Sequence, residues 1–494
     1  MTLSLAQMTM EHDRHALPIR RAPDLYMGLC GSRHFAHNPN GYEALALLGR
    51  RGWLMLQAAD GRSAREVALD VAGGDADEAR KCLSELPLLL RNGFVRSPGV
   101  PLAQPPGPPE RVFNAWLHLT NACNLACPYC YIQKDAGHLD EQTAARVLAA
   151  IEATAQSGEV DRVHVRFAGG EPMLRFAALQ RFHQQATEVC GRHGVRFSAA
   201  VLTNGTVMPK EAAAWLRDAQ VSVSVSIDGV GTAQDVMRPV VGGGSSAARV
   251  EAGLDVLQNA GIAPYGLVTV GDSNLEGLPV LARWLSDRGI GFRLSLVRDL
   301  EWGRGLLDYR HGAGAAPSEA EPGMLAGEAL WRVQRVLGQT YDVLEAAVVQ
   351  GATPSFRRTH RFCDLELWRP IQKACGAGES YLAISDKGEF SPCQAALHQP
   401  GTQQLRGDSL RIQARSQTQF TDFSRKHGNP DCNRCQHRSS CAGGCPLLLH
   451  RRAGDIEGRS PYCEVFRAVI PRILRIAAQE LLRDEAARVP VLAR

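Results

Sequence analysis

No stretch of the chain approaches the roughly 18 consecutive apolar residues that a membrane-spanning helix requires, so no membrane span is expected. The first residues, MTLSLAQMTMEHDRH, lack a basic segment followed by a long apolar core, and no secretory signal is read there. Dense Lys/Arg blocks are missing as well. With a formal net charge of only +4, nucleic acid is not an implied partner, although the composition allows a modest basic surface. Without a signal, the 14 cysteines do not suggest a disulfide framework.

What is present is a long chain of ordinary globular composition. Its 494 residues exceed one core, so two or three domains are expected, and 45% hydrophobic with 21% charged residues suits a soluble protein. Seven cysteines fall in the last quarter at short, regular spacings, and three more share one loop. The economical reading is a cytoplasmic protein whose thiolates hold iron–sulfur clusters.

That loop follows a short apolar run and reads LHLTNACNLACPYCY from Leu117 to Tyr131, placing Cys123, Cys127 and Cys130 as C-x3-C-x2-C. A [4Fe–4S] cluster normally takes four thiolates, so three leave one iron open to a non-protein ligand. A structural zinc loop is the alternative. With Tyr129 just before its third cysteine, the loop resembles the cluster loop of the radical S-adenosylmethionine (SAM) enzymes. The resemblance implies that the open iron chelates SAM, and that an electron from the cluster cleaves the sulfonium to a 5′-deoxyadenosyl radical.

Residues 1–97 precede this chemistry. Tyr42–Leu56, Ala64–Val71 and Asp75–Leu86 read as helices, with Pro87 ending or kinking the last, and Gly93–Val95 as a short strand. Helices followed by a small wing resemble the winged-helix recognition domain of peptide-modifying radical enzymes. That implies capture of a leader peptide by strand addition; a plain structural domain is the alternative. Residues 98–110 form a proline-rich linker, a stiff spacer between domains.

From 111 to 300, strand-like runs alternate with helices. The strands are Trp116–Leu119, Arg162–Phe167, Arg196–Leu202, Val221–Ile227, Ala263–Val270 and Gly291–Leu296. This βα repeat predicts a parallel sheet curling into a partial (βα)6 barrel, an α/β fold with ligands at the strand ends. The informative residues fall there. Gly169, Gly170 and Glu171 resemble the family's GGEP segment, which contacts the SAM amino group. Asn204 lies in a TNG segment, while Ser226 and Asp228 lie in an SxDG segment expected to bond SAM and orient loops. Arg238 suits the SAM carboxylate, with a surface salt bridge as the alternative. Residues 301–362 read as a loop and a bridging helix from Met324 to about Val349.

In the last quarter Cys375, Gly388, Cys393, Cys432, Cys435, Cys441, Cys445 and Cys463 follow the order C-x12-G-x4-C, gap, C-x2-C-x5-C-x3-C, gap, C. This resembles the seven-cysteine SPASM domain, expected here over 363–470, with a C-terminal helix over 471–494 kinked by Pro471. Paired zinc sites are the alternative. The resemblance implies two auxiliary [4Fe–4S] clusters. Cys432, Cys435, Cys441 and Cys463 would hold one. Cys375, Cys393 and Cys445 would hold the other, with Cys363 as candidate fourth ligand. Cys30, Cys82 and Cys190 lie outside every pattern, the last two as buried small hydrophobes.

Together these motifs resemble a radical SAM/SPASM peptide maturase. Three [4Fe–4S] clusters, SAM, a peptide or small protein substrate and an external electron donor such as flavodoxin or ferredoxin are then implied. Intra-peptide crosslinks, including thioethers like those of quinohemoprotein amine dehydrogenase maturation and sactipeptides, are the first reading. A formylglycine-forming sulfatase maturase and a redox-cofactor precursor enzyme are the second and third. From another class comes a non-catalytic iron–sulfur carrier, which would need no GGEP or SxDG segment.

Overall fold

The computed structural model describes residues 15–103, 110–297, 327–353, 355–397, 402–416, 429–453 and 459–488. Outside them lie residues 1–14, where no secretory signal is expected, linker residues 104–109, the Gly/Ala/Pro-rich loop and the last residues of the expected C-terminal helix.

Two small antiparallel sheets open the chain. β1 (Pro18–Arg21) lies in one; β2 (Tyr26–Cys30), β3 (Arg33–His37) and β4 (Leu45–Leu48) form the other. β5 (Asp60–Ser63) and β6 (Val95–Arg96) flank β1. The helix expected from Tyr42 to Leu56 is therefore divided. Leu45–Leu48 is buried at every position and pairs with β3, and a short run apolar on both faces carries no period to separate strand from helix. The helix Arg50–Ala58 starts only after Gly49. Next, Ser63 and Glu66 close a reciprocal cap on the helix Ala64–Val71. Pro87 does not end a helix: Ala76–Leu83 stops before it, and Pro87 sits in the first turn of Leu86–Arg91, where its missing N–H costs nothing.

The spacer reading also needs correction. Ile19, Met55, Leu56, Val67, Leu89 and Phe94 share a separate core, but Cys30, Phe35, Leu45 and Leu47 belong to the main one. The sheet β2–β4 packs directly on the long C-terminal helix, so the N-terminal unit is fused to the body rather than held off it.

All six expected strands of the central repeat are present: β7 (Val112–Thr120), β8 (Arg162–Gly169), β9 (Arg196–Thr203), β10 (Ser222–Ser226), β11 (Tyr265–Val270) and β12 (Gly291–Leu296). They pair in parallel in chain order, with helices between them. Phe113, Ala115, Leu117, Val163, Val165 and Phe167 are buried in the main core, whereas their strand neighbours Asn114, Trp116, His164 and Arg166 alternate onto the other, more open face.

Both borders of this sheet are extended from far down the chain. β13 (His360–Phe362) joins β12 in parallel, and β14 (Tyr381–Ile384) joins β7 in parallel. β15 (Glu389–Ser391) and β16 (Gln403–Gln404) add antiparallel rungs, giving ten strands in one sheet. The helices Gly327–Val349 and Cys463–Arg488 pack on each other. The second is continuous through Pro471, so the expected boundary at 470/471 falls inside one helix. Buried Val469, Ile470, Ile473 and Leu474 clamp it on both sides of the lost hydrogen bond. Among the described residues no helix is long and apolar enough to cross a membrane.

Candidate functional site

The site forms where β7 to β11 end. β7 stops at Thr120, whose hydroxyl donates to the Gly137 carbonyl (2.7 Å) and accepts from the Ala122 amide (3.1 Å). Backbone bonds Ala126 N–H to Pro239 O (2.8 Å) and Val241 N–H to Asn124 O (3.0 Å) pin the cysteine loop to the segment after β10. Cys123, Cys127 and Cys130 are all half-buried on this loop. Burial pushes the Cys123 and Cys127 thiols up; the Leu125 amide opposes this at Cys123 and Arg238 at Cys127.

Gly169 and Gly170 make room for the loop itself. A Cβ at Gly169 would stand 2.2 Å from the Thr120 carbonyl oxygen, and one at Gly170 2.1 Å from that of Ala122. In the space so made, the amides of Gly170 and Glu171 donate to those carbonyls at 2.7 and 2.8 Å. The close approach allowed by two glycines is thus used to clasp the end of β8 to the cysteine loop.

Glu171 is fully buried and accepts from the Met173 amide (2.9 Å), the Thr203 hydroxyl (2.7 Å) and the Asn204 amide (2.6 Å). Burial raises its carboxyl to about 7 against those bonds. Its side chain fastens the TNG segment to β8. Asn204 in turn donates to Asn124 Oδ1 (2.8 Å) and approaches Cys123 Sγ at 3.8 Å.

Ser226 is half-buried at the end of β10. Two residues on, Asp228 is fully buried and accepts from Thr269 N–H (2.7 Å), from Arg238 Nε (2.7 Å) and from the Tyr129 hydroxyl. Asp228 thus joins β10, β11 and the cysteine loop. Arg238 is no surface ion: its side chain is 10% exposed, it pairs with a carboxylate that is 0% exposed, and it lies over the Tyr129 ring. Asn124 and Asn274, which the motifs do not single out, also brace this floor, with Thr203 and Thr206 of the TNG segment. Asn124, a polar residue between two cysteines, carries a signal of its own, whereas Asn274 carries none.

Eight further cysteines separate into two cavities. Cys432, Cys435, Cys441 and Cys463 line one of about 700 Å³, together with Asp24 and Asn40 of the N-terminal unit. Cys363, Cys375, Cys393 and Cys445 line another of about 660 Å³, against the open face of the sheet. These are the two groups of cysteines that the resemblance assigns to separate auxiliary sites, and Cys363, the candidate fourth member, lines the second cavity. Cys363 holds φ +47°, a left-handed conformation that costs a non-glycine residue energy and persists only where its surroundings impose it. Its amide donates to Leu294 O at 2.7 Å. In the first cavity burial raises Cys432 to about 11, reinforced by neighbouring Cys463 and Cys435, while Arg459 Nη2 donates to Cys463 Sγ at 3.6 Å.

Four thiols gathered around each cavity are a donor set that suits a metal group. Among the described residues no three His, Cys, Asp or Glu side chains converge as a single-ion site requires. A polynuclear cluster puts each thiolate on a different iron and spreads the sulfurs apart, which fits cavities of this size better than zinc does. All 14 cysteines are free of disulfides, and Cys30, Cys82 and Cys190 are buried away from these sites.

Residues 117–285 match the Radical SAM superfamily. Mycofactocin maturase MftC of Mycolicibacterium smegmatis is 26% identical over 355 residues, 70% of this chain and 81% of that protein. The serine-type anaerobic sulfatase-maturating enzyme of Klebsiella aerogenes is 24% identical over 389 residues, 73% and 86% of the two chains. An uncharacterized protein of Methanocaldococcus jannaschii is 28% identical over 176 residues, which are 35% of this chain and 58% of that one. In fold, anSMEcpe with bound AdoMet superposes with a TM-score of 0.56 at 16% identity, over 74% of this chain and 99% of that one. SuiB of Streptococcus suis bound to S-adenosylmethionine gives 0.51 at 13% identity, over 90% and 99%. The chain carries a radical SAM domain across residues 117–285, with the mycofactocin and anaerobic sulfatase maturases among its homologues.

Proposed function

We propose that the protein is a radical SAM enzyme that modifies a peptide or small protein, forming intra-peptide thioether crosslinks by hydrogen abstraction at an unactivated carbon. The observation that carries this reading is the arrangement of its cysteines. Three stand on a loop clasped by Gly169, Gly170 and Asn204, and eight divide into two four-cysteine cavities. When bound, the clusters and SAM supply one-electron cleavage of the sulfonium and an acceptor for the electron that a closed-shell product must lose.

The chain's own residues set the geometry. Cys123, Cys127 and Cys130 would hold the cluster that binds SAM, leaving one position open. Tyr129, Asp228 and Arg238 fix the loop's outer wall, so that Arg238 presents charge to the site while its Nε stays anchored to Asp228. Glu171 holds the TNG segment at the strand ends, and Ser226 offers a hydroxyl nearby in the fold. Cys432, Cys435, Cys441 and Cys463 would ligate one auxiliary cluster, and Cys363, Cys375, Cys393 and Cys445 would close the other. A peptide substrate is supported by the architecture: anSMEcpe, of the same fold (TM-score 0.55, 15% identity, 74% of this chain), has been solved with AdoMet and a Cp18Cys peptide. The wider overlap with SuiB, 90% of this chain against 74%, favours a maturase whose fold includes the N-terminal unit.

Anaerobically reconstituted protein given dithionite and SAM is expected to release 5′-deoxyadenosine. Changing Cys123, Cys127 and Cys130 to Ala should abolish release while auxiliary iron stays bound. Retained cleavage in that variant would refute the site assignment. Mass spectrometry of a co-expressed small substrate protein then distinguishes a thioether from formylglycine or a C–C bond.

A further inference from the structure

The cavity lined by Cys363, Cys375, Cys393 and Cys445 has more cationic charge than its protein carboxylates neutralise. Arg293 pairs with Asp364 at 2.8 Å, Arg369 with Glu366 at 3.2 Å and Lys373 with Glu379 at 2.5 Å. Two arginines on the cavity wall are left. Arg166, on the open face of β8, donates only to the neutral Asn114 Oδ1, at 3.0 Å. Arg361, on β13, donates only to the carbonyls of Arg357 and His360, at 2.9 Å each. Neither has a carboxylate within ion-pair distance among the described residues.

The register makes this more pointed. Arg361 lies directly beside Arg293 across the parallel pair β12 and β13, both half-buried on the same face. Like charges side by side on a sheet are destabilising, and Asp364 answers only the Arg293 member of this pair. Arg361 is also two residues from Cys363, and both line the same cavity. Evenly spaced surface arginines would need no such explanation, but half-buried ones at the wall of a four-thiol chamber do.

The missing anion has a natural identity if the chamber holds the cluster assigned to it above, a reading on which this inference rests. A two-plus [4Fe–4S] core with four thiolates is a dianion, and a trianion once it has accepted an electron. We propose that Arg166 and Arg361 are the counter-charges of this auxiliary cluster and raise its reduction potential. Added negative charge on the cluster is stabilised by the two guanidinium groups, so the reduced form gains more than the oxidised form. The closed four-cysteine ligation and the two cations then act together: the first keeps substrate off the iron, and the second makes the centre a better electron acceptor. The opposing possibility is that the same arginines bind a carboxylate of the peptide.

EPR-monitored redox titration of the full chain in the Cys123→Ala, Cys127→Ala, Cys130→Ala background leaves two auxiliary centres to follow. Arg166→Gln and Arg361→Gln are each expected to lower one of the two midpoints by the equivalent of a tenfold or larger loss in the one-electron equilibrium constant, about 59 mV. Arg361→Lys should restore most of it. Arg434→Gln, whose arginine is 79% exposed at the other cavity, should leave that midpoint unchanged. If a glutamine variant loses the iron of one centre while the lysine variant retains it, charge compensation is supported. Loss of iron in the lysine variant too would overturn it, as would unmoved midpoints with full iron and sulfide, whether or not peptide affinity falls. Absence of auxiliary iron from the background protein is a different result, and would remove the cluster assignment itself.

Discussion

Asp228 concentrates more of the site's architecture than any cysteine does. Its two oxygens, fully buried, hold the Thr269 amide, the Arg238 guanidinium and the Tyr129 hydroxyl. Breaking a buried ion pair by removing one partner leaves an uncompensated charge and costs about 3–5 kcal/mol. Arg238→Gln is therefore expected to destabilise the protein by that order, read as a lower midpoint in denaturant unfolding. The double variant with Asp228→Asn should recover part of the loss, since no stranded charge is left. An arginine that served the SAM carboxylate alone would lower SAM affinity without moving the unfolding midpoint. The grouping of the cysteines was legible because short spacings are written directly in the chain. Glu171 was legible only as a motif: its three donors come from Met173, Thr203 and Asn204, and a contact to residues thirty positions away leaves no local pattern.

Among the elements, the sheet β2–β4 shows where sequence and fold part. Its third strand was read as helix because Ala44–Leu48 is apolar at every position, and only its pairing with β3 and its burial against the C-terminal helix decide the matter. The βα repeat, by contrast, alternates buried and half-buried positions so regularly that all six strands were visible. At the contact between β3 and the segment after Cys363, His37 is buried, and its Nε2 donates to the Leu367 carbonyl at 2.6 Å. Burial lowers its imidazole from 6.5 to about 4, outweighing that bond. A histidine depressed in the folded state takes up its proton on unfolding, so its contribution is complete above pH 6.5 and is lost as pH falls toward 4. The loss amounts to about 3 kcal/mol at most. Protection factors of the β2–β4 amides, corrected for the pH dependence of intrinsic exchange, should fall between pH 7.5 and 5, and His37→Gln should flatten His37's share of that fall. An unchanged pH profile in the variant would show that His37 is not responsible.

Taken whole, the molecule is less modular than its linker suggests. Pro23, Asp24 and Asn40 reach the cavity of Cys432, Cys435, Cys441 and Cys463, and Asp24 and Asn40 bond Ser439 at 3.1 and 3.2 Å. A chain lacking residues 1–97 therefore loses one wall of that chamber as well as its share of the main core. It is expected to bind less iron than the full chain, with the shortfall in the centre of that cavity, as measured by iron and sulfide analysis. Point changes on β6 or β5, which leave Asp24 and Asn40 in place, are the better probe of peptide capture. A truncated protein with full iron would show that the N-terminal unit is dispensable for this chamber. Proline-rich composition announced a break in the chain, but no composition reveals that the two sides of the break share a hydrophobic core.

The ten-stranded sheet also imposes an order on biosynthesis. The six parallel strands leave the ribosome as an open ribbon whose outer rungs, β7 and β12, each present a row of unsatisfied amides and carbonyls. The pieces that cover them, β14 and β13, are translated only after a further sixty residues or more beyond β12. During that interval the nascent domain is open to pairing with other chains. Expressing the central repeat by itself would make this transient hazard permanent, so the parallel sheet depends on its own C-terminal third to cover both of its edges.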